Sequence, residues 1–414
     1  MRVVILADFA EPSGGAQAVA ILSALALARL GMAVTYVHGI AAPVDPRLQE
    51  AGIDVVSLGL ADVWTLPGRK AALAGIWNRL AARRLGEALA RLPSGPTILH
   101  LHQWTRSLSP SVLPVLLGQS HPAAVTLHDY FMACPNGVYY RFDEGEPCGL
   151  VPLSSACLAA PCDPRSSLHK AIRVLRTAAT RSAIREARLD VVHVSDRGRD
   201  TIVPFLPRGL VQHRIDNPVE AERREAAAIA PDARIAFLGR LTREKGADLV
   251  AAAGRDAGMP VLFVGEGPAE AEIRRLNPDA ILLGWRSREE VDALLRGGIR
   301  AVSAPSRWYE TGPLTIYESL AAGVPVVASG RSGAAEKVAD GATGFVVEPS
   351  IEALAAAFRL LRDDELVARM GRLAHERYWA APLDPDSHAR KLIRLYDGML
   401  AGRPAISQSW AAST

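Results

Sequence analysis

Short apolar runs alternate with amphipathic stretches along nearly the whole chain, and the series starts twice. Arg2–Ala7 is the first apolar run; Gly14-Gly15 and a helical stretch, Ala16–Leu30, stopped by Gly31, follow it. Val34–His38, Val55–Leu58, Thr97–His102, Ala124–His128 and Val191–Ser195 repeat the strand signature, with a basic helical region over Arg69–Leu92 among them. Pro204 and Pro207 then punctuate the chain, and Asn217-Pro218 marks a boundary. After Pro231 the series begins again with Arg234–Gly239, a polar loop and a helix around Asp248–Ala253. Val261–Val264, Ala280–Leu283, Ala301–Ser303, the helix Leu314–Ala322, Pro325–Ala328 and Gly344–Val347 continue it. Helices over Ile351–Arg362 and Ser387–Leu400 close it. Apolar strands separated by helices are expected to lie parallel, with helices on both faces of the sheet. The chain therefore reads as α/β, with two Rossmann-like domains and a cleft between them. In such sheets ligands gather outside the carboxyl ends of the strands, so the loops just after each strand are the places to look for chemistry.

Charge narrows the partners. The chain carries 47 Lys and Arg against 44 Asp and Glu, a net charge of +3, too small to coat nucleic acid. Residues 1–217 hold 22 basic against 17 acidic side chains, and the remainder 25 against 27. A mildly basic first half suits anionic small molecules or an acidic membrane surface. The first apolar run is too short for a signal peptide and Asp8 breaks it. The charge-free stretch Pro12 to Ala28 contains Gly14, Gly15, Gln17 and Ser23, too short and polar to span a bilayer. The expectation is a cytoplasmic protein.

The segment Ser303–Ala328 carries the clearest chemistry. Glu310 and Glu318 stand eight positions apart, the first on the loop after a strand, the second about two turns inside the next helix. A carboxylate accepts two hydrogen bonds from adjacent hydroxyls, as a sugar diol presents them. Backbone N–H groups at the helix start, from about Leu314 and Thr315, face no intrahelical partner and suit a phosphate. Two diol binders beside a phosphate site describe a nucleotide-sugar. Taken alone, the same two glutamates also fit a solvated helix face or a cap.

This arrangement resembles the retaining GT-B glycosyltransferases of the large family numbered four, the glycosyl transferases group 1, whose E-x7-E motif Glu310 and Glu318 match. A second match is Phe237-Leu-Gly239-Arg240-Leu-Thr-Arg-Glu-Lys245-Gly246. The resemblance gives Arg240 and Lys245 the donor diphosphate, where two fixed cations stabilise leaving-group charge. It places Gly265-Glu266-Gly267 and Gly284-Trp285 near the nucleotide, and Ser13-Gly14-Gly15 where backbone approaches donor and acceptor. His128, in Thr126-Leu-His128-Asp129, is expected in the catalytic cleft, oriented by Asp129; a packed histidine is the alternative, as it is for His100 and His102. Glu310, His128, Arg240 and Lys245 are thus the expected catalytic set. Gly14, Gly15, Gly239, Gly265, Gly267, Gly312, Leu314, Thr315 and Glu318 complete the donor site. The sequence departs from the family at Thr311-Gly312-Pro313, where Phe-Gly is common, and at Ser319, where Ala is usual. The resemblance also sets the domains: 1–217 for the acceptor, 218–378 for the nucleotide-sugar, and a C-terminal helix and tail, 379–414, packing back on the first domain. The expected reaction moves a hexosyl-type residue to an acceptor hydroxyl with retention and without a catalytic metal, in surface polysaccharide or glycoconjugate synthesis. The acceptor is a carbohydrate or lipid-linked. An epimerase, another GT-B enzyme and a silent nucleotide-sugar-binding protein remain as alternatives. Asp384-Pro-Asp386 has the letters of a metal motif but does not follow a strand.

Two features sit outside that frame. Cys134, Cys148, Cys157 and Cys162 cluster in an insertion of about 130–165, where a structural zinc site and merely packed thiols are both open readings. Arg165–Arg188 interleaves seven basic residues with Leu168, Ile172, Val174, Leu175 and Ile184. It is either a helix that touches anionic lipid at the inner membrane face or a solvated helix with its apolar stripe in the core.

Overall fold

The computed structural model describes residues 1–228, 230 and 233–402. Pro231, where the sequence pattern restarts, and the tail from residue 403 lie outside the described residues. The chain divides into two compact units. One comprises Met1–Asp143, Gly149–Pro218 and the described residues from Pro385 on; the other comprises Glu144–Cys148 and Val219–Asp384. Six helices carry the residues of interest: α1 (Gly15–Arg29), α2 (Gly68–Ile76), α3 (Ser167–Ala183), α4 (Ala247–Ala257), α5 (Leu314–Ala322) and α6 (Pro385–Leu400).

The first unit is built on seven strands, β1 (Arg2–Ala7), β2 (Ala33–Ile40), β3 (Asp54–Leu60), β4 (Thr97–Leu101), β5 (Ala123–Leu127), β6 (Asp190–His193) and β7 (Val211–Arg214). They lie in the order β3-β2-β1-β4-β5-β6-β7, every neighbouring pair parallel. The chain starts at the centre: Val3 faces Val34 on one side and Ile98 on the other. Strand order reverses between β1 and β4, so a crevice opens between the loops that follow them. β7, Val-Gln-His-Arg, escapes the sequence reading because this edge strand has no apolar run to betray it.

α6 completes this unit. It packs on α1 and buries Ala389, Leu392 and Tyr396 in the same core as Val3, Ile5 and Ile21. Burying Leu392 alone contributes about 2 kcal/mol. Polar contacts fix its register: the Ser23 hydroxyl meets His388 Nε2 at 3.0 Å, and Arg29 Nε donates to Asp386 Oδ1 at 2.8 Å. Asp386, half of the metal-like Asp-Pro-Asp, thus serves an ion pair.

The second unit has six strands, β8 (Arg234–Leu238), β9 (Val261–Val264), β10 (Ile281–Leu282), β11 (Ile299–Ala304), β12 (Val326–Ser329) and β13 (Gly344–Val347). Their order is β10-β9-β8-β11-β12-β13, again all parallel. Ile235, Phe237, Phe263, Leu249, Leu354 and Phe358 form its main core. The reversal here falls between β8 and β11. Both units are Rossmann-like.

α3 departs from the reading that puts its apolar stripe in the core. Its buried stripe is polar: Lys170, Arg176, Thr177 and Thr180. Lys170 Nζ donates to the carbonyls of Cys157 and Ala160, Arg173 pairs with the buried Asp163 at 3.1 Å, and Arg176 lies over the Phe131 ring at 4.4 Å. Leu168 and Leu175 instead face solvent, 73% and 55% exposed. The cations turn inward because buried partners await them there; the leucines are left outside.

Candidate functional site

The second unit brings its charged residues together at its strand reversal. Gly239, just past β8, has a φ of 138°, in the region that favours glycine, and the loop through Lys245 leads to Gly246 at the start of α4. A side chain at Gly246 would strike the Pro305 carbonyl, so the two loops touch there. β11 ends at Ala304, and Ser306 and Glu310 follow before α5. Lys245 Nζ bonds Glu310 Oε1 at 2.8 Å across this junction, and the Ser306 hydroxyl donates to Glu310 Oε2 at 2.7 Å. Burial alone would raise the Glu310 carboxyl; the Lys245 ammonium outweighs it and holds the group below the usual carboxylate range. A second tie clamps the same loops. Arg307 makes two parallel bonds to Asp248, at 2.6 and 2.8 Å, and its backbone N–H donates to the Glu244 carbonyl. Neither Ser306 nor Arg307 was singled out from the sequence, since each acts on residues brought close only by the fold.

The other expected donor residues are placed differently. Arg240 is exposed on the loop after β8. Glu318 is the fifth residue of α5, one turn in rather than two; burial pushes its carboxyl up, with Arg288 pulling the other way and Asp292 adding to the rise. Gly312 and Pro313 precede α5, and no side chain caps its start, so the N–H groups of Leu314 and Thr315 point out of the helix end. Gly265 (φ 127°) and Gly267 press against the backbone of Gly239 and Leu241, where a Cβ would collide. Their backbone brings the loops after β8 and β9 into contact: Gly239 N donates to the Val264 carbonyl at 2.9 Å and Leu241 N to the Glu266 carbonyl at 3.0 Å.

In the first unit, Gly14 is extended (φ −175°) and caps α1; only the flexible end of Gln17 lies where a Cβ would stand. Gly15 is the first residue of that helix. Asp8, just past β1, is a residue the sequence reading missed. Its buried carboxylate accepts from the backbone N–H groups of Arg106, Ser107 and Leu108 and from the Ser107 hydroxyl, holding the loop after β4. His128, just past β5, meets His102 Nδ1 through its Nε2 at 3.1 Å, the two rings stacked. His100 lies beside His102, ring centroids 4.5 Å apart, and bonds Tyr396 of α6 at 2.6 Å and Thr126 at 2.8 Å. Burial pushes His100 and His128 down to about 3 and His388 to about 4, and His102 well below its ordinary value. The rings are therefore neutral at pH 7. Asp129 accepts from the Phe131 backbone N–H at 3.0 Å; burial lifts it to about 6 although the Arg176 guanidinium opposes the rise. His128 is thus held by His102.

Among the described residues no three His, Cys, Asp or Glu side chains converge to hold an ion. Cys134, Cys157 and Cys162 are buried in the first unit, whereas Cys148 groups with the second.

Comparison with known proteins agrees with these two units. Residues 219–377 match the family model described as glycosyl transferases group 1. The chain is 30% identical over 273 residues to a glycogen synthase of Mycobacterium tuberculosis, covering 62% of this chain and 64% of that protein. It is 28% identical over 144 residues to a GDP-mannose-dependent alpha-mannosyltransferase of Corynebacterium glutamicum, about a third of either chain (34%). Among solved structures, a sucrose-phosphate synthase from Thermosynechococcus elongatus superimposes with a TM-score of 0.72 at 19% identity, over 97% of this chain and 99% of that one. Anabaena HepE, solved in complex with UDP, gives 0.64 at 16% identity, over 96% and 100%. The chain has the GT-B fold, and its residues 219–377 are similar to the glycosyl transferases group 1 domain.

Proposed function

We propose that this chain is a glycosyltransferase that moves a hexosyl-type residue from a nucleotide-sugar to an acceptor hydroxyl. The observation that carries the reading is the Lys245–Glu310 bond at the strand reversal, with Arg240 exposed on the same loop. Lys245 and Arg240 would meet the diphosphate, and Glu310 and Glu318 would accept hydrogen bonds from hydroxyls of the sugar and ribose. The N–H groups of Leu314 and Thr315 would add to the phosphate site. In a retaining reaction the bond from the anomeric carbon to the diphosphate oxygen breaks. A bond to the acceptor oxygen forms on the same face, and the acceptor proton passes to the departing phosphate. Two fixed cations stabilise the charge that builds there, so this reading assigns catalysis no resident metal. His128, neutral and fixed by His102, would orient the transferred sugar or the acceptor.

The acceptor is taken to be a carbohydrate or lipid-linked glycan, and the role one in polysaccharide or glycoconjugate synthesis at the inner face of a membrane. The glycogen synthase and mannosyltransferase names among the relatives support this, and HepE, with its bound UDP, supports a uridine diphosphate donor as the first to try. The test is a thermal-shift panel of UDP-, GDP-, ADP-, dTDP- and CDP-sugars, with and without Mg²⁺, on wild type and Glu318→Ala. One nucleotide should raise the melting temperature without Mg²⁺ and lose that effect in the variant. Stabilisation by no member of the panel would overturn the donor site.

A further inference from the structure

α2 and α3 pack against one another in the first unit, and both carry apolar side chains into solvent. Leu73 on α2 is 71% exposed; Leu168 and Leu175 project from the outer stripe of α3, with Ala171 and Ala178 between and beyond them. Trp64, 57% exposed, joins the set: the Arg165 guanidinium, three residues before Leu168, lies 4.6 Å from its ring. Isolated exposed leucines are ordinary, but a helix that turns Lys170 and Arg176 inward and Leu168 and Leu175 outward is not.

The segments that carry this face are basic, bounded by Asp62 and Glu186. No Asp or Glu occurs between residues 63 and 86, nor between 164 and 185. Arg69, Lys70, Arg165, Arg181 and Arg185 are all exposed. Asp163, at the edge of α3, is buried and bound to Arg173 and His169. We infer that α2 and α3 form a docking face for an anionic lipid surface, the leucines and Trp64 entering the headgroup boundary while the basic rim meets lipid phosphates. A second copy of the chain fits worse, because a two-fold contact would press one basic rim on another. A lipid surface needs no pocket for side chains that stand out singly, and tryptophan favours the membrane–water boundary. No helix among the described residues is long and apolar enough to cross a membrane, so the contact is peripheral. The inference deepens the reading of a membrane-bound acceptor, yet its test does not depend on catalysis.

That test is vesicle co-sedimentation of the full chain. Phosphatidylcholine vesicles containing phosphatidylglycerol should pellet the wild type, pure phosphatidylcholine should not, and added salt should weaken the binding. The double variant L168S/L175S should lose about tenfold or more in partitioning, and R69Q/K70Q should lose binding in the same direction. Both variants should keep the wild-type thermal shift with nucleotide-sugar, which separates failure of this inference from failure of the donor site. Wild type left in the supernatant with anionic vesicles, or L168S/L175S pelleting like wild type, would overturn the proposal. So would a solution dimer that L168S/L175S dissolves, since a second copy would then cover the face.

Discussion

At the scale of single residues the second unit's site is a pre-formed ion pair. Lys245 neutralises a carboxylate that burial would otherwise penalise, so each partner explains the other. Lys245→Ala should lower turnover on the order of 10²-fold, the cost of removing one fixed cation from a charged transition state. It should also destabilise the fold by about 1–2 kcal/mol, because Glu310 is left without its counter-charge, while part of the pair stays wet. Adding Glu310→Gln should restore most of that stability and none of the activity; urea melts and initial rates on the single and double variants separate the two effects. A Lys245→Ala enzyme with unchanged turnover would remove Lys245 from the chemistry. Gly265→Ala offers a purely steric probe. Its Cβ would enter the space held by the Gly239 backbone at a φ that alanine avoids. The expected loss is roughly 2–3 kcal/mol, together with nucleotide binding, read by thermal shift.

Elements make those contacts possible, and here the sequence was legible to different depths. β1, β9 and α5 lie where the apolar runs and the helical stretch Leu314–Ala322 put them, because those signals are local. β7 is invisible since its stability comes from the neighbour it pairs with, β6. α3 was legible as a helix but not as to its inward side. Periodicity defines two stripes, and only Asp163, Asp129 and the carbonyls near residue 160, all distant in pairing, decide which one is buried. The expected donor residues stood out in the sequence through the family resemblance, but the braces that tie their loops, Ser306, Arg307 and Asp248, did not. In the first unit β4 and the loops after β4 and β5 place three neutral histidines in contact, and α6 adds a fourth, His388, close by. An unfolded chain protonates such rings near pH 6.5, the folded one only near 3 to 4. Their stabilisation is therefore complete above about 6.5 and is lost as pH falls toward the folded values, at up to about 1.4 kcal/mol per pH unit for each ring. Asp129, raised to about 6, works in the opposite sense and offsets one ring. Guanidinium midpoints at pH 7 and pH 5 should differ markedly, and His102→Gln should flatten the difference; equal midpoints in wild type would show that the rings are already charged.

Across the whole molecule, the chain leaves the first unit at Pro218 and re-enters it at Pro385. The second unit is a nearly continuous stretch, whereas the first is completed only by α6. Ending the chain at Asp384 should strip α1 of the cover given by Leu392 and Tyr396 and cost more than the few kcal/mol that hold most domains together. Calorimetry of that truncated chain should show one remaining cooperative transition, still shifted by the nucleotide-sugar. Loss of both transitions would mean that the second unit does not stand alone.

The same return of α6 governs the order in which the protein is born. A ribosome emits the β1–β7 segment first, yet that sheet must wait, with α1 half covered, until residues near 400 clear the exit tunnel. Residues 219–384 emerge in the meantime with nearly all their partners already made. The later-made half is thus free to mature before the earlier one, and the nascent first half is the segment for which a chaperone has the longest window.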